Sequence, residues 1–478
     1  MNKNSSDRGI AMVMVMLTIL VLSVLGMSLI FAAQTQTWTA VNYRLATQAR
    51  YAAEAGVQYT MNWLANTYTP PTTFTSYDTT KNPVQDTTSH KSVVLSGMSG
   101  VSSNYPDTTV QSAYNTALNG KSLTGLSNTT FSTYATLLRM GSGSGASWVA
   151  GGTTGVPQTW QIVSNGSISG VRNSAVQIVA TYESTATPIS PYAVYATSPS
   201  CPSLKFTAGS GTDSYNSSLG VYSASNHSNS NGNIGSNGNI TLSNSTVYGI
   251  AKFGEASVTT GSCPNDYTTS GSTVLGTTAL GSAVTFPSPS YTNPSPAITT
   301  NTTYNVNTSL PPGNYGNITE SGHTLTLSPG TYNFNSLSLM GGGTITVSPA
   351  GQVVIEIAGV GTLPSCIGWV APPAQPAGCA VGFSGGSISN SSGKPDQFQI
   401  VYNGSMGVAL SGGSNSYGYI YAPNAPCVLS GGGDWYGSIV VSQINDSGGS
   451  NIHYDQNLSN TIIAVSAYRA VGFSWSKF

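Results

Sequence analysis

Between Gly9 and Tyr43 the chain carries no charged residue. The apolar core of this run, Ile10 to Ala33, is about 24 residues long, more than the roughly 7–15 of a secretory signal and enough to cross a bilayer. Lys3 and Arg8 precede it, which places the N-terminus on the cytoplasmic side. The helical pattern does not stop at the end of the run. In TWTAVNYRLATQARYAAEAGVQYTMNWLANTYTPP, the residues Val41, Leu45, Ala49, Ala52, Gly56, Tyr59 and Trp63 recur at helical spacings of four and three,. Pro70-Pro71 then ends the pattern,. One helix from Ile10 to Asn66 is expected, about 85 Å long at ~1.5 Å per residue. Its first half is apolar all round and its second half on one side.

Composition constrains the remainder. Charged residues make up 6% of the chain, against about 25% in an average soluble protein. Gly numbers 55 and Tyr 26, and 39% of residues are apolar, too many for a solvated random chain. The apolar residues come in short alternating runs, which points to β structure with many tight turns. A net charge of −1 without a basic stretch gives no electrostatic footprint for nucleic acid, which is not expected as a partner.

Residues 67–190 read as a small α+β head, with strands at Thr159–Ser164 and Ala175–Tyr182. Residues 191–280 read as short β runs broken by Asn-Gly and Ser-Asn steps. The Pro-rich stretch 281–314 reads as a linker or surface wrap. In 315–478 the pairs Leu325/Leu327, Tyr332/Phe334, Leu337/Leu339 and Ile345/Val347 and the triplet Val353/Ile355/Ile357 alternate cleanly. Short strands, Gly- and Asn-rich corners and loose self-similarity point to a β-solenoid of the parallel β-helix kind. The rival is a β-sandwich or jelly roll, with more regular two-residue hairpins. The fold class expected is therefore α+β, mostly β.

All five cysteines follow the apolar run, and none sits in a metal-binding spacing,. Outside the cytoplasm they become disulfide candidates. Cys366 and Cys379 flank IGWVAPPAQPAG, an excursion costly to order unaided, and are the first pair expected; Cys201 and Cys263 are the second. The four histidines (His90, His227, His323, His453) are unclustered, so neither a zinc site nor any cofactor is expected. No nucleophile, phosphate-binding or dinucleotide signature occurs in a fitting context, and no enzyme activity is expected. Asp434, Trp435 and Tyr436 form an acid beside aromatics, a pattern found in sugar-binding clefts. Glycoside cleavage needs two carboxylates flanking a bond, and the spacing of Asp434, Asp446 and Asp455 selects no pair. Glu356 lies inside a strand, either on an outward face or as a satisfied edge carboxylate. His453 and Asp455 alternate on one strand face, where a structural polar pair is the simpler reading.

The leader ending in Arg8-Gly9, the apolar helix and RLATQARYAAEAGVQYTMNWL together resemble the N-terminal region of PilX-type minor pilins and related pseudopilins. The Ala52–Gly56 stretch with Glu54 is the most recognisable part, and the resemblance covers about the first 65 residues. It implies a prepilin leader, 1–9, cut after Gly9 by a prepilin peptidase, leaving Ile10 as a methylated N-terminus. The helix 10–66 then serves first as an inner-membrane anchor and later packs against other pilins in an extracellular filament built by the pilus assembly machinery. Most pilins begin with Phe where Ile10 stands here, and most major pilins carry a glutamate where this chain has Met14. The tip pseudopilin of type II secretion resembles the chain in lacking that acid, which implies a tip position. LSPGTYNFNSLSLMGGGTITV, YGYIYAPNAPCVLSGGGDWYGSIVV and GGSNIHYDQNL resemble a domain of unassigned activity found behind PilX-like N-termini. The displayed β domain would serve assembly or surface contact; the alternative readings are a membrane-anchored glycan-binding adhesin and, behind it, a polysaccharide-degrading β-helix enzyme.

Overall fold

The computed structural model describes residues 6–71, 74–126, 128–141, 146–149, 156–170, 173–255, 257–259 and 266–477. Helix α1 runs unbroken from Ser6 to Asn66. No proline interrupts it, and the hydroxyls within its apolar half turn back onto the helix. Thr18 donates to the Val15 carbonyl, Ser23 to Ile19 and Ser28 to Leu25, so each polar side chain is satisfied without water. The apolar half is long and apolar enough to cross a membrane, and none of it is covered by the chain itself.

The chain divides into two compact units. The first comprises 1–141, 158–185 and 467–478 and the second 142–157 and 186–466. In the first, helix α1 lies on an antiparallel sheet. Its main strands are β1 (Val94–Ser96), β2 (Thr129–Met140), β3 (Gln158–Ile168) and β4 (Ser174–Glu183), in that order. Helix α2 (Thr108–Leu118) is capped by the Asp107 carboxylate, which accepts from the amides of Thr109 and Val110,. Past β4 the sheet is closed by the strand Arg469–Lys477. The segment expected as one C-terminal solenoid, 315–478, therefore ends before this strand, which belongs to the head. Antiparallel pairing with the long β4 satisfies more of its backbone than a further short rung offers.

The second unit is a parallel β-solenoid. All pairings within its twenty-stranded sheet are parallel, which excludes the sandwich and its hairpins. The alternating residues named above all point inward, and Leu325, Leu337, Ile345 and Ile355 have no exposure. The rungs do not follow the sequence. The chain enters in the middle, at β5 (Val194–Ala196), β6 (Leu204–Phe206) and β7 (Gly211–Tyr215). It winds to one end at β8 (Tyr267–Ser270) and β9 (Thr273–Leu280). It restarts at the opposite end with β10 (Asn301–Tyr304) and β11 (Thr308–Leu310). From there it winds back until β12 (Trp435–Asp446) and β13 (Asn451–Asp455) stack on β5, β6 and β7.

The Pro-rich stretch makes this order possible. Residues 281–300 contain no strand and run as a strap along the solenoid flank. Val284 exchanges hydrogen bonds with Asn237, and Phe286 packs on Tyr195. Pro287 accepts from the Tyr421 hydroxyl, the Tyr291 hydroxyl donates to the Ile357 carbonyl, and Thr299 accepts from Asn317. The expected wrap thus ends near 300 instead of 314, because 301–310 already form the first rung.

Candidate functional site: the helix, its head and a flank ladder

Where α1 meets the head, its contact line is built from the smallest residues. Ala49, Ala52, Ala53 and Thr60 have no exposure, and Val57, Trp63 and Leu64 are buried. Gly56 is buried too; a Cβ there would collide with the Ser164 hydroxyl and the Phe131 ring. From the sheet side, a Cβ on Gly166 would collide with the Ala49 carbonyl oxygen and the Ala53 amide nitrogen. Alanines on the helix and glycine on β3 thus let two backbones approach directly. Tyr59, expected on this line, is 57% exposed; at 3.6 residues per turn the line passes through Thr60 instead. Glu54 pairs with Arg50 at 2.8 Å along the helix, and the Arg50 guanidinium lies 5.4 Å from the centre of the Trp475 ring on the closing strand.

Below the head the helix emerges. Val41 and Leu45 are half-buried and help line an open groove of about 690 Å³ with Trp38, Arg44, Leu126 and Ile168. Ile10 and Met14 are exposed at 63% and 65%. Gly9 lies within the helical backbone.

On the solenoid, Cys366 and Cys379 are bonded, with S–S 2.00 Å. The excursion they close lies flat on the outward residues Ala409 and Val428, with Trp369 against them. Its Val370 carbonyl accepts from Asn445. Closing a loop of this length is worth about 3 kcal/mol in the chain-entropy model. Cys201 is disulfide-bonded; Cys263, its expected partner, lies outside the described residues. Cys427 is buried with a free thiol.

The Asp434–Trp435–Tyr436 stretch does not present itself as expected. Trp435 is only 3% exposed. It points inward between Ser416 and Ile452, and its indole N–H donates to the Gly418 carbonyl at 3.0 Å. It offers no face to a ligand. The outward column beside it is a ladder of side chains on successive rungs: Tyr417, Tyr436, His453 and Asp213. Tyr417 stacks on Tyr436 at 4.3 Å and Tyr436 on His453 at 4.5 Å. Tyr222 closes over the ladder, 4.1 Å from the imidazole, and its hydroxyl donates to Asp213 at 2.6 Å. His453 Nδ1 lies 2.5 Å from Asp213 Oδ1, and Nε2 lies 3.5 Å from Asp434 Oδ2. His453 and Asp455 share a strand face but bond to different partners, since Asp455 accepts from the amide and hydroxyl of Ser217.

These acids carry no visible catalytic arrangement. Asp446 and Asp455 have no exposure, and burial pushes them up to about 7 and about 6. Glu356 points outward under the strap, where burial pushes it up to about 7. Among the described residues no group of three side chains could hold a metal ion. Asp213 and Tyr222 were not legible as partners of His453, nor Tyr417 as the end of its ladder. Asp213 is remote in sequence and reaches it only because β7 stacks on β13.

The ladder has a pH consequence. Burial lowers the affinity of His453 for its proton, but Asp213 and Asp434 raise it further, so its pKa lies above the ordinary value. A raised histidine contributes stability in full below about 6.5, and loses it as pH rises through the folded value. The buried carboxylates act in the same direction but at lower pH, between about 4 and about 7. The thermal midpoint is expected to fall as pH rises above about 6.5, and His453→Gln is expected to flatten that fall. An identical pH profile in parent and variant contradicts the assignment.

Comparison with known families fits this division. Residues 8–58 match the PilX N-terminal family model. The N-terminal segment is of the PilX type. Residues 378–461 match a domain of unknown function, DUF7305, which spans the rungs from Cys379 through β13. No curated protein matches the sequence. The crystal structure of the competence-associated pilin ComZ from Thermus thermophilus is similar at a TM-score of 0.24 and 10% identity, over 91% of this chain and 98% of that one. Similarity at that level adds nothing about function.

Proposed function

We propose that the chain is a minor pilin of a type IV pilus or a related secretion filament, placed at or near the tip. It is a structural protein that displays the β-solenoid for assembly or surface contact. It begins as an inner-membrane precursor, loses residues 1–9 to a prepilin peptidase, and then joins other pilins outside the cell through α1.

One observation carries the tip position: Met14 stands where most pilins have glutamate, and no acid occurs between Gly9 and Tyr43. The amine of a neighbouring subunit's new N-terminus, buried among apolar helices, needs a negative partner, because an unpaired buried charge is expensive. This chain has none to offer a subunit docking against it. The first subunit, with nothing above it, needs to offer none. A solenoid of nearly three hundred residues on every subunit would also crowd a shaft. Immunogold labelling of sheared filaments tests the position. Gold at filament ends, in low number, is expected; gold spread along the shaft in amounts near those of a major pilin overturns it.

A further inference from the structure

Among the described residues no strand covers either end of the solenoid, and the molecule already contains one joint of the kind such ends can make. Among the described residues, strands β8 and β9 at one end, and β10 and β11 at the other, each have a registered partner on one side only. Among the described residues no strand pairs with their outer backbone edges. Proteins usually blunt such edges with charge, and solenoids with a capping element. Here β8, β9, β10 and β11 contain no Lys, Arg, Asp or Glu. Leu275 and Val306, at the two ends, are 57% and 62% exposed.

The internal joint shows what these edges can do. The half formed by 301–455 and the half formed by 194–280 meet where Leu204, Lys205 and Phe206 pair with Ile444, Asn445 and Asp446, and β7 pairs with β13. No direct chain connection crosses that joint. Ladder hydrogen bonds and stacked side chains make it, in parallel and in register. One outward column runs through it unbroken, from Thr303 by way of Thr319, Ala409, Asn445 and Lys205 to Thr268.

We infer that the β8–β9 end of one molecule docks on the β10–β11 end of a second copy, continuing the solenoid in parallel and placing Thr268 beside Thr303 of the second copy. The two ends belong to one solenoid, their end strands contain no charged residue, and among the described residues both leave outer strand edges without a paired strand. The contact is heterologous, so it does not close on itself and can extend to further copies. It does not depend on where in a filament the chain stands.

The register makes the contact testable by cysteine pairing. Neighbouring parallel strands lie about 4.8 Å apart, within the Cα separation of about 4.4–6.8 Å that a disulfide spans. Full-length Thr268→Cys and Thr303→Cys chains, purified in detergent, are mixed and treated with diamide. A disulfide-linked dimer is expected from the mixture and from neither variant by itself, while the double variant in one chain gives a ladder of oligomers. Thr268→Cys mixed with Thr308→Cys, which lies on another face of the end rung, gives none. Association through α1 in the micelle favours none of these pairs over another. Absence of the mixed dimer, equal yield with Thr308→Cys, or equal yield from a single variant overturns the proposal.

Discussion

Valine at Gly166 is expected to part the helix from its head. A Cβ at this position meets the backbone of α1 at Ala49 and Ala53, and backbone in a packed helix cannot swing aside as a side-chain tip can. Overpacking costs about 1–3 kcal/mol in ordinary cores, occasionally more. With both contact surfaces formed by backbone, the upper end is expected. The thermal midpoint of the detergent-solubilised chain falls, proteases gain access near Ala52, and the chain no longer assembles. Gly166→Ala gives a smaller loss in the same direction. A Gly166→Val chain with parental melting and proteolysis contradicts the close approach.

Trp435→Ala is expected to cost about 3–5 kcal/mol, the usual price of removing a large buried aromatic. The indole fills the core between rungs, and its loss also leaves the Gly418 carbonyl without a donor,. Loss of glycan or surface binding in this variant would report a damaged solenoid, not a missing contact. Tyr417→Ala is the informative comparison. That ring is half-buried at the end of the ladder and stacks on Tyr436, so its removal costs about 1 kcal/mol. Equal destabilisation by the two variants, seen in denaturant melts, contradicts the inward placement of Trp435.

The local signals were readable and the long-range ones were not. Helix α1 ends at Asn66, where the fading pattern before Pro70-Pro71 places it, because breakers act within a turn of themselves. The inward Leu, Ile and Val of the solenoid are the alternating ones, because strand period is a property of the backbone. In GGGDWYGS, by contrast, period two requires only that Trp435 and Tyr436 face opposite ways. Which of them faces inward is set by register against Ile452, and a slip of one residue reverses the answer. The rung order is equally non-local. The distance along the chain between stacked inward positions is short from Cys427 to Ile444 and more than twice as long from Ile355 to Ile400, so no period points to the joint. The closing strand is illegible in the sequence for a similar reason. Val471, Phe473 and Trp475 alternate like any solenoid strand, and only their pairing with β4 assigns them to the head.

The proposed function requires that the helix be first an anchor and then, once Gly9 is cut, a filament element. Mass spectrometry of the mature N-terminus in cells tests this most directly. The expected species begins at N-methylated Ile10. A mature chain that begins at Met1, or at a site near Ala33, contradicts the account.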